Sequence, residues 1–183
     1  MQTHITNTQI RNIIDLPQTD QTILDYPMRI FAIDLGDQRT GLALADRITC
    51  IASPAGLIET PIEREQGRLL INEIVKQFQQ QASGPETEIV LGIPLNMDNT
   101  EGPRAKLVRD FALKLANRLD RPVMLVDERK TSQLADARMS QSGLTHKQKK
   151  QRRDAIAAAA IAQLYLDEPD TSVIDTVEPL EHK

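Results

Sequence analysis

Aromatic residues make up only 3% of this 183-residue chain and tryptophan is absent, so its core must be built from aliphatic side chains. The single cysteine, Cys50, excludes an internal disulfide and any site assembled from several thiolates. It reads as a small inert residue, and a reducing, cytoplasmic setting is the expectation. No apolar run approaches the ~18 residues of a membrane span, so no membrane partner is expected. The opening residues, MQTHITNTQIRN, lack the charged-then-apolar layout of a secretory signal. His4, His146 and His182 stand in polar segments without the spacing of metal ligands, and no nucleophile–base arrangement is legible among the serines and threonines.

The chain is short of positive charge overall, at a net −4, and this argues against a polyanionic partner until the charge is mapped. The ends are acidic. Residues 1–28 hold one arginine against three aspartates, and residues 167–183 hold one lysine against six acids. Residues 102–153, in contrast, carry fourteen lysines and arginines against five acids. A basic region of that density can follow a phosphate backbone, although solvated helix faces would produce the same composition.

What is present is a set of short periodic segments. Residues 1–28 are rich in Gln, Thr, Asn and Asp without sustained periodicity and read as a flexible N-terminal extension. Two strands follow at Arg29–Leu35 and Thr40–Ala45, joined by a turn that Gly36 and Gly41 bracket, a composition expected where backbone angles are unusual. Ile48–Ile58 supplies a third strand whose Ser53 and Pro54 suit a sheet edge. Pro61 opens a helix with Leu70, Ile71, Ile74, Val75 and Phe78 at helical spacing. Glu88–Leu91 is a short strand, and LNMDNTEG at 95–102 is a polar loop. Pro103 starts a helix with Val108, Phe111, Ala112, Leu115 and Leu119 on its apolar stripe. Pro122–Val126 is a fifth strand, ending at Asp127-Glu128-Arg129. Thr131 or Ser132 can cap a short helix that Gly143 ends. The polar THKQKKQRR leads to Asp154, which opens a last helix, AIAAAAIAQLYL. Three strands followed by alternating helices and strands indicate one α/β domain over 29–167, a mixed five-stranded sheet flanked by helices, with an acidic tail at 168–183.

Three acids stand where folding does not require them. Asp34 interrupts an apolar strand, Glu128 ends the last strand and Asp154 opens the last helix. A carboxylate in an apolar strand is expensive to bury, so a metal, a basic partner or a solvent-filled cleft must compensate Asp34. Asp154 alone could be a helix cap, and Glu128 alone could pair with Arg129 or Lys130. Asp37, Asp46 and Asp127 read as turn or strand-end acids. If strands one and five run parallel, the three acids share one edge of the sheet, where α/β proteins place ligands. Hard oxygen donors without Cys or His suit Mg²⁺ or Mn²⁺, and such ions hydrolyse phosphodiesters.

Four blocks then carry a resemblance: IDLGDQRTGLALAD at 33–46, GIPLNMDNTEGPRA at 92–105, DERKTSQLADARM at 127–139 and KKQRRDAIAAAAIAQLYLD at 149–167. In this order they resemble the YqgF/RuvX-type family of pre-16S rRNA nucleases, also described as Holliday junction resolvase-like. The resemblance implies a ribonuclease H-like fold, catalytic and metal-binding carboxylates at Asp34, Glu128 and Asp154, and substrate contacts at Arg39, Asn96 and Arg129. The family's DERLTT reads DERKTS here, and its Asp-Gly in the loop reads Asp98-Asn99, so no acid is lost. Lys147, Lys149, Lys150, Arg152 and Arg153 would hold backbone phosphates beside Asp154.

The function this implies is a metal-dependent endonuclease that processes the 5′ end of pre-16S rRNA. Branched DNA is the alternative substrate, and a non-catalytic nucleic-acid-binding module of the same fold is the alternative class. The first hairpin also resembles the phosphate-binding hairpin of the actin, chaperone and sugar-kinase group, but that group needs two such domains and a second phosphate loop. The sequence leaves a homodimer open.

Overall fold

The computed structural model describes residues 29–82, 84, 86–131 and 146–180, with Lys130 and residues 146–152 described in their backbone alone. The N-terminal extension and the short helix expected between Thr131 and Gly143 lie outside the described residues.

The first hairpin pairs β1 (Arg29–Leu35) with β2 (Thr40–Asp46), setting Asp34 opposite Gly41 and Leu35 opposite Thr40. β3 (Ile51–Ile58) adds antiparallel to β2 at the sheet edge. The β2–β3 ladder slips between Leu42 and Ala43, where Pro54 falls and no backbone donor is available. After a 3₁₀ turn at Arg64–Gly67, α1 (Arg68–Gln81) leads to β4 (Thr87–Ile93), parallel to β1. Next come α2 (Pro103–Leu119) and β5 (Val123–Asp127), parallel to β4. A second 3₁₀ turn, Glu128–Lys130, follows β5 directly. α3 (His146–Asp167), the short α4 (Pro169–Ser172) and β6 (Val173–Val177) complete the chain, with β6 antiparallel to β5. The strand order is β3-β2-β1-β4-β5-β6, and its first five strands form the expected mixed five-stranded sheet.

Alternation along β1 divides the core into two layers. Phe31, Ile33 and Leu35 face α1 and α2, where Phe31 meets Phe78 edge-on at 5.5 Å and Leu70, Ile74, Phe111 and Leu115 close the layer. Ile30 and Ala32 face α3, with Ala43 and Ala45 of β2, Val90 of β4 and Val126 of β5 beside them. The α3 side of that layer contributes Ala158, Ala159, Ile161 and Ala162, so the helix lies low on the sheet. Asp34 is next in the Ile30–Ala32 row and so faces α3. Because β1, β4 and β5 are parallel, their C-terminal ends open on one edge, as expected of the strands that bear Asp34 and precede Glu128.

Four expectations are corrected. The sheet has six strands, because residues 169–177, read as part of an acidic tail, form α4 and β6. Val173-Ile174-Asp175-Thr176-Val177 is an exposed edge strand, and charge on an edge protects it from further pairing while disguising it as tail. The helix read from Pro61 begins only at Arg68. Glu65 and Gln66 stand at φ 50° and 54° and Gly67 at 87°, while Ile62 N–H is held by the carbonyl of Asp37 at 3.0 Å. α3 starts at His146, two turns before Asp154, because Lys, Gln and Arg are good helix formers even where no apolar stripe marks them. Finally, no residue of the 36–41 turn has a positive φ. Gly36 is needed because a Cβ there would strike the carbonyl of Arg39, and Gly41 because α3 passes against it.

Candidate active site

Asp34 brings its carboxyl to the α3 face just before β1 ends. Burial, and then the charge of Asp154, pushes its pKa up to about 6, while the Arg104 guanidinium pulls it back in part. Glu128 stands on the first residue after β5. Its pKa is pushed up to about 7, first by burial and then by Asp34, with Arg104 again opposing and Asp127 adding to the rise. Gly92 of β4 makes this approach possible, because a side chain there would collide with the Glu128 carboxylate and with Ile161 of α3. A hollow in the central strand therefore lets Glu128 lean towards β1.

Asp154 reaches the same place from α3, and Gly41 is what admits it. A Cβ at Gly41 would overlap the Asp154 carbonyl, so only glycine at this point of β2 allows the helix backbone to pass. Asp154 lies within α3 and not in its first turn, which removes the helix-cap reading. Its carboxylate takes an ion pair from Arg39, Nε to Oδ2 at 3.0 Å. Asp34 is thus the middle acid, coupled to Asp154 on one side and to Glu128 on the other. Among the described residues no three acidic, His or Cys side chains are gathered closely enough to enclose an ion in this conformation. The coupling is a chain of three with Asp154 turned to Arg39.

Of the other expected contact residues, Arg39, Asn96 and Arg129 are engaged inside the protein. Arg129 does not pair with Glu128. Its Nε donates to both carboxylate oxygens of Asp127 at 3.0 Å, and Nη2 adds a bond of 2.6 Å. The same guanidinium donates to the Asn96 carbonyl at 2.9 Å and to Asn99 Oδ1 at 2.8 Å. Asn96 in turn donates from Nδ2 to Thr100 Oγ1 at 2.9 Å. Arg129 is therefore a brace between the end of β5 and the 95–102 loop. Arg39 is occupied by Asp154. Arg153 is exposed beside Asp154. Lys147, Lys149, Lys150 and Arg152 have their backbone in α3, and their side chains lie outside the described residues.

Sequence reasoning missed Arg104. It donates to the Asp37 carboxylate and to the Leu35 carbonyl, and it is the cation felt by both Asp34 and Glu128. A signal existed: Arg104 follows Pro103 in the first turn of α2, an end of a helix where the macrodipole disfavours a cation. An arginine there is held by Asp37 and the Leu35 carbonyl, and from that place its charge also reaches Asp34 and Glu128.

A family model described as "RuvX: Holliday junction resolvase" matches residues 28–168. A protein of Anaeromyxobacter sp. (strain K), named "Putative pre-16S rRNA nuclease", is 40% identical over 142 residues, covering 76% of this chain and 97% of its own length. One of the same name from Listeria monocytogenes serotype 4b (strain CLIP80459) is 33% identical over 141 residues, covering 76% and 98%. Among solved structures, Thermus thermophilus RuvC in complex with a Holliday junction substrate aligns over 80% of this chain and 99% of its own, with 15% identity and a TM-score of 0.47. By the extent of the family match and the identity to its curated relatives, this chain belongs to the RuvX family.

Proposed function

We propose that this chain is a metal-dependent endonuclease that hydrolyses phosphodiester bonds in structured RNA, with the 5′ end of pre-16S rRNA as its substrate in the cytoplasm. The observation that carries this reading is the convergence of Asp34, Glu128 and Asp154 on one face of the sheet, at the C-terminal ends of parallel strands. The relatives' name supports the choice of substrate. The absence of any helix long and apolar enough to cross a membrane, among the described residues, is compatible with the setting.

The donor set fits a hard divalent cation. Two carboxyls titrate well above the ordinary carboxylate range, Asp34 at about 6 and Glu128 at about 7, because each is buried beside another acid, and among the described residues neither has an ion pair of its own. Asp34, Glu128 and Asp154 would hold Mg²⁺ or Mn²⁺. Such an ion supplies the charge that makes a bound water a nucleophile and steadies the leaving oxygen. The protein's own groups do the rest. Asp34, Glu128 and Asp154 would give their carboxylate oxygens to such an ion, and Arg39, paired with Asp154 at 3.0 Å, would offer its guanidinium to a phosphate oxygen beside it. Arg104 limits the repulsion of the pair when it is ionised. Arg153 and the basic first turns of α3 neutralise backbone phosphates on the approach.

Branched DNA is the second reading, which the family's description favours. Incubating the purified chain with pre-16S rRNA and with four-way DNA junctions, with and without Mg²⁺, separates the two. Mg²⁺-dependent cleavage of the rRNA precursor and not of the junction is the expected outcome. No cleavage of either would refute the nuclease assignment.

A further inference from the structure

The 95–102 loop leaves the end of β4 and returns into α2, on the sheet edge that carries the carboxylates. Its tip is Met97, 92% exposed, the most exposed of the large apolar side chains among the described residues. A lone exposed methionine means little. Here, however, the backbone around it is fixed from every side. Asn96 N–H donates to the Thr100 carbonyl and Asn99 N–H to the Asn96 carbonyl, both at 3.0 Å. Thr100 N–H and hydroxyl both donate to Asp98 Oδ1, at 3.0 and 2.6 Å. Asn99 sits at φ 65°, a left-handed position that asparagine tolerates, and the side chain that glycine would lack accepts from Arg129. A loop so tied cannot fold Met97 back onto the protein.

The brace also fixes where the tip stands. Arg129, which anchors both Asn96 and Asn99, is the residue next to Glu128. Residues 95–102 contain no lysine or arginine, and of their two carboxylates Glu101 is paired with Arg109 while Asp98 accepts from Thr100, so the loop brings no cation of its own to a phosphate backbone. What it can offer a nucleic acid is an apolar tip, and the matching surface is the face of a base. A polarisable thioether packs well on aromatic faces, and apolar side chains inserted at a base step unstack it.

We infer that Met97 is a specificity-determining wedge that packs against an unpaired or unstacked base of the bound RNA beside the carboxylate site. This rests on the nuclease reading above. The wedge contact is present both before and during bond cleavage, so its loss raises KM and leaves kcat nearly unchanged.

The test uses the full chain and a hairpin RNA with a single-stranded 5′ extension carrying 2-aminopurine at the junction of stem and extension. Binding to the cleavage-inactive Asp34→Asn background should raise the fluorescence of the probe, reporting unstacking. Adding Met97→Ala should remove most of that rise. In the active protein Met97→Ala should raise KM about fivefold with kcat within about twofold, and Met97→Phe should restore both signals. An unchanged melting temperature for Met97→Ala excludes misfolding. Equal fluorescence and equal KM for Met97→Ala and the wild type would overturn the wedge while leaving the nuclease reading in place. If the wild type neither binds nor cleaves the RNA in Mg²⁺, the RNA substrate of the nuclease reading has failed and the wedge falls with it.

Discussion

Asp127 and Glu128 are neighbours in sequence at the end of the same strand, and the fold treats them in opposite ways. Asp127 is buried and saturated, since Arg129 covers its two oxygens with three bonds. Glu128 is left beside Asp34 with no ion pair among the described residues, and it responds by holding its proton to about pH 7. The far pole of the sheet repeats the first solution. There Glu88 receives Arg47 at 2.6 Å and the Tyr165 hydroxyl at 3.0 Å, and that tyrosine's own pKa is driven up by burial and by Glu88. The chain therefore has cations enough to satisfy a buried acid, and it satisfies the acids that organise structure. At Asp34 and Glu128 the cation felt by both, among the described residues, is Arg104, which bonds to Asp37 and to the Leu35 carbonyl. An unsatisfied pair among satisfied ones is the observation that supports the proposal that these two acids serve a ligand.

Removing a functional acid should harm activity and spare the fold, whereas removing a structural brace should do the reverse. The largest effect is expected from Asp34→Asn, which should reduce Mg²⁺-dependent cleavage by on the order of a thousandfold or more while RNA binding persists, measured by steady-state cleavage and by electrophoretic shift. Arg129→Ala removes the guanidinium that binds both oxygens of the buried Asp127 carboxylate and should cost about 3 kcal/mol in a urea unfolding titration. An Arg129→Ala protein as stable as the wild type would remove the contrast between the two acids.

The third prediction concerns pH without divalent metal. The ordinary values for Asp34 and Glu128 are 3.8 and 4.5, and the folded values are about 6 and about 7. Between these limits the folded chain binds more protons than the unfolded chain, so stability falls as pH rises. The contribution is fully present below about pH 4 and is lost once both groups have ionised, above about pH 7. Asp34→Asn removes an acid from this pair, so it should flatten the decline and make the metal-free protein more stable at pH 7 by on the order of 2 kcal/mol. The smallest effect belongs to Arg104→Gln. Taking away the cation that opposes both shifts should move the acidic limb of the pH–rate profile upward and lower the rate at pH 7 by about tenfold or less. A profile that does not move would show that Arg104 only shapes the turn through Asp37.

Much of this site was legible in the sequence, and for local reasons. Asp34 stands out because an acid interrupts an apolar strand, and Glu128 because it follows one. What stayed hidden depends on three-dimensional neighbours. Arg129 looked like a partner for substrate or for Glu128, and only the direction of the Asp127 side chain makes it a brace. Gly41 read as one bracket of a turn and Gly92 carried no reading, yet each is a place where another element passes too closely for a Cβ. The first turns of α3 were invisible because period-based reading needs an apolar stripe and HKQKKQRR has none. β6 was hidden by the charges that protect an edge strand.

The central claim is that Asp34 and Glu128 are left unsatisfied in order to hold a divalent cation. The direct measurement is the melting temperature of the full chain at pH 7, with and without Mn²⁺, for the wild type and for Asp34→Asn. The wild type should melt at a higher temperature when Mn²⁺ is present, while the variant should be the more stable protein without the ion and gain little from it. A variant that gains as much from Mn²⁺ as the wild type would contradict the claim.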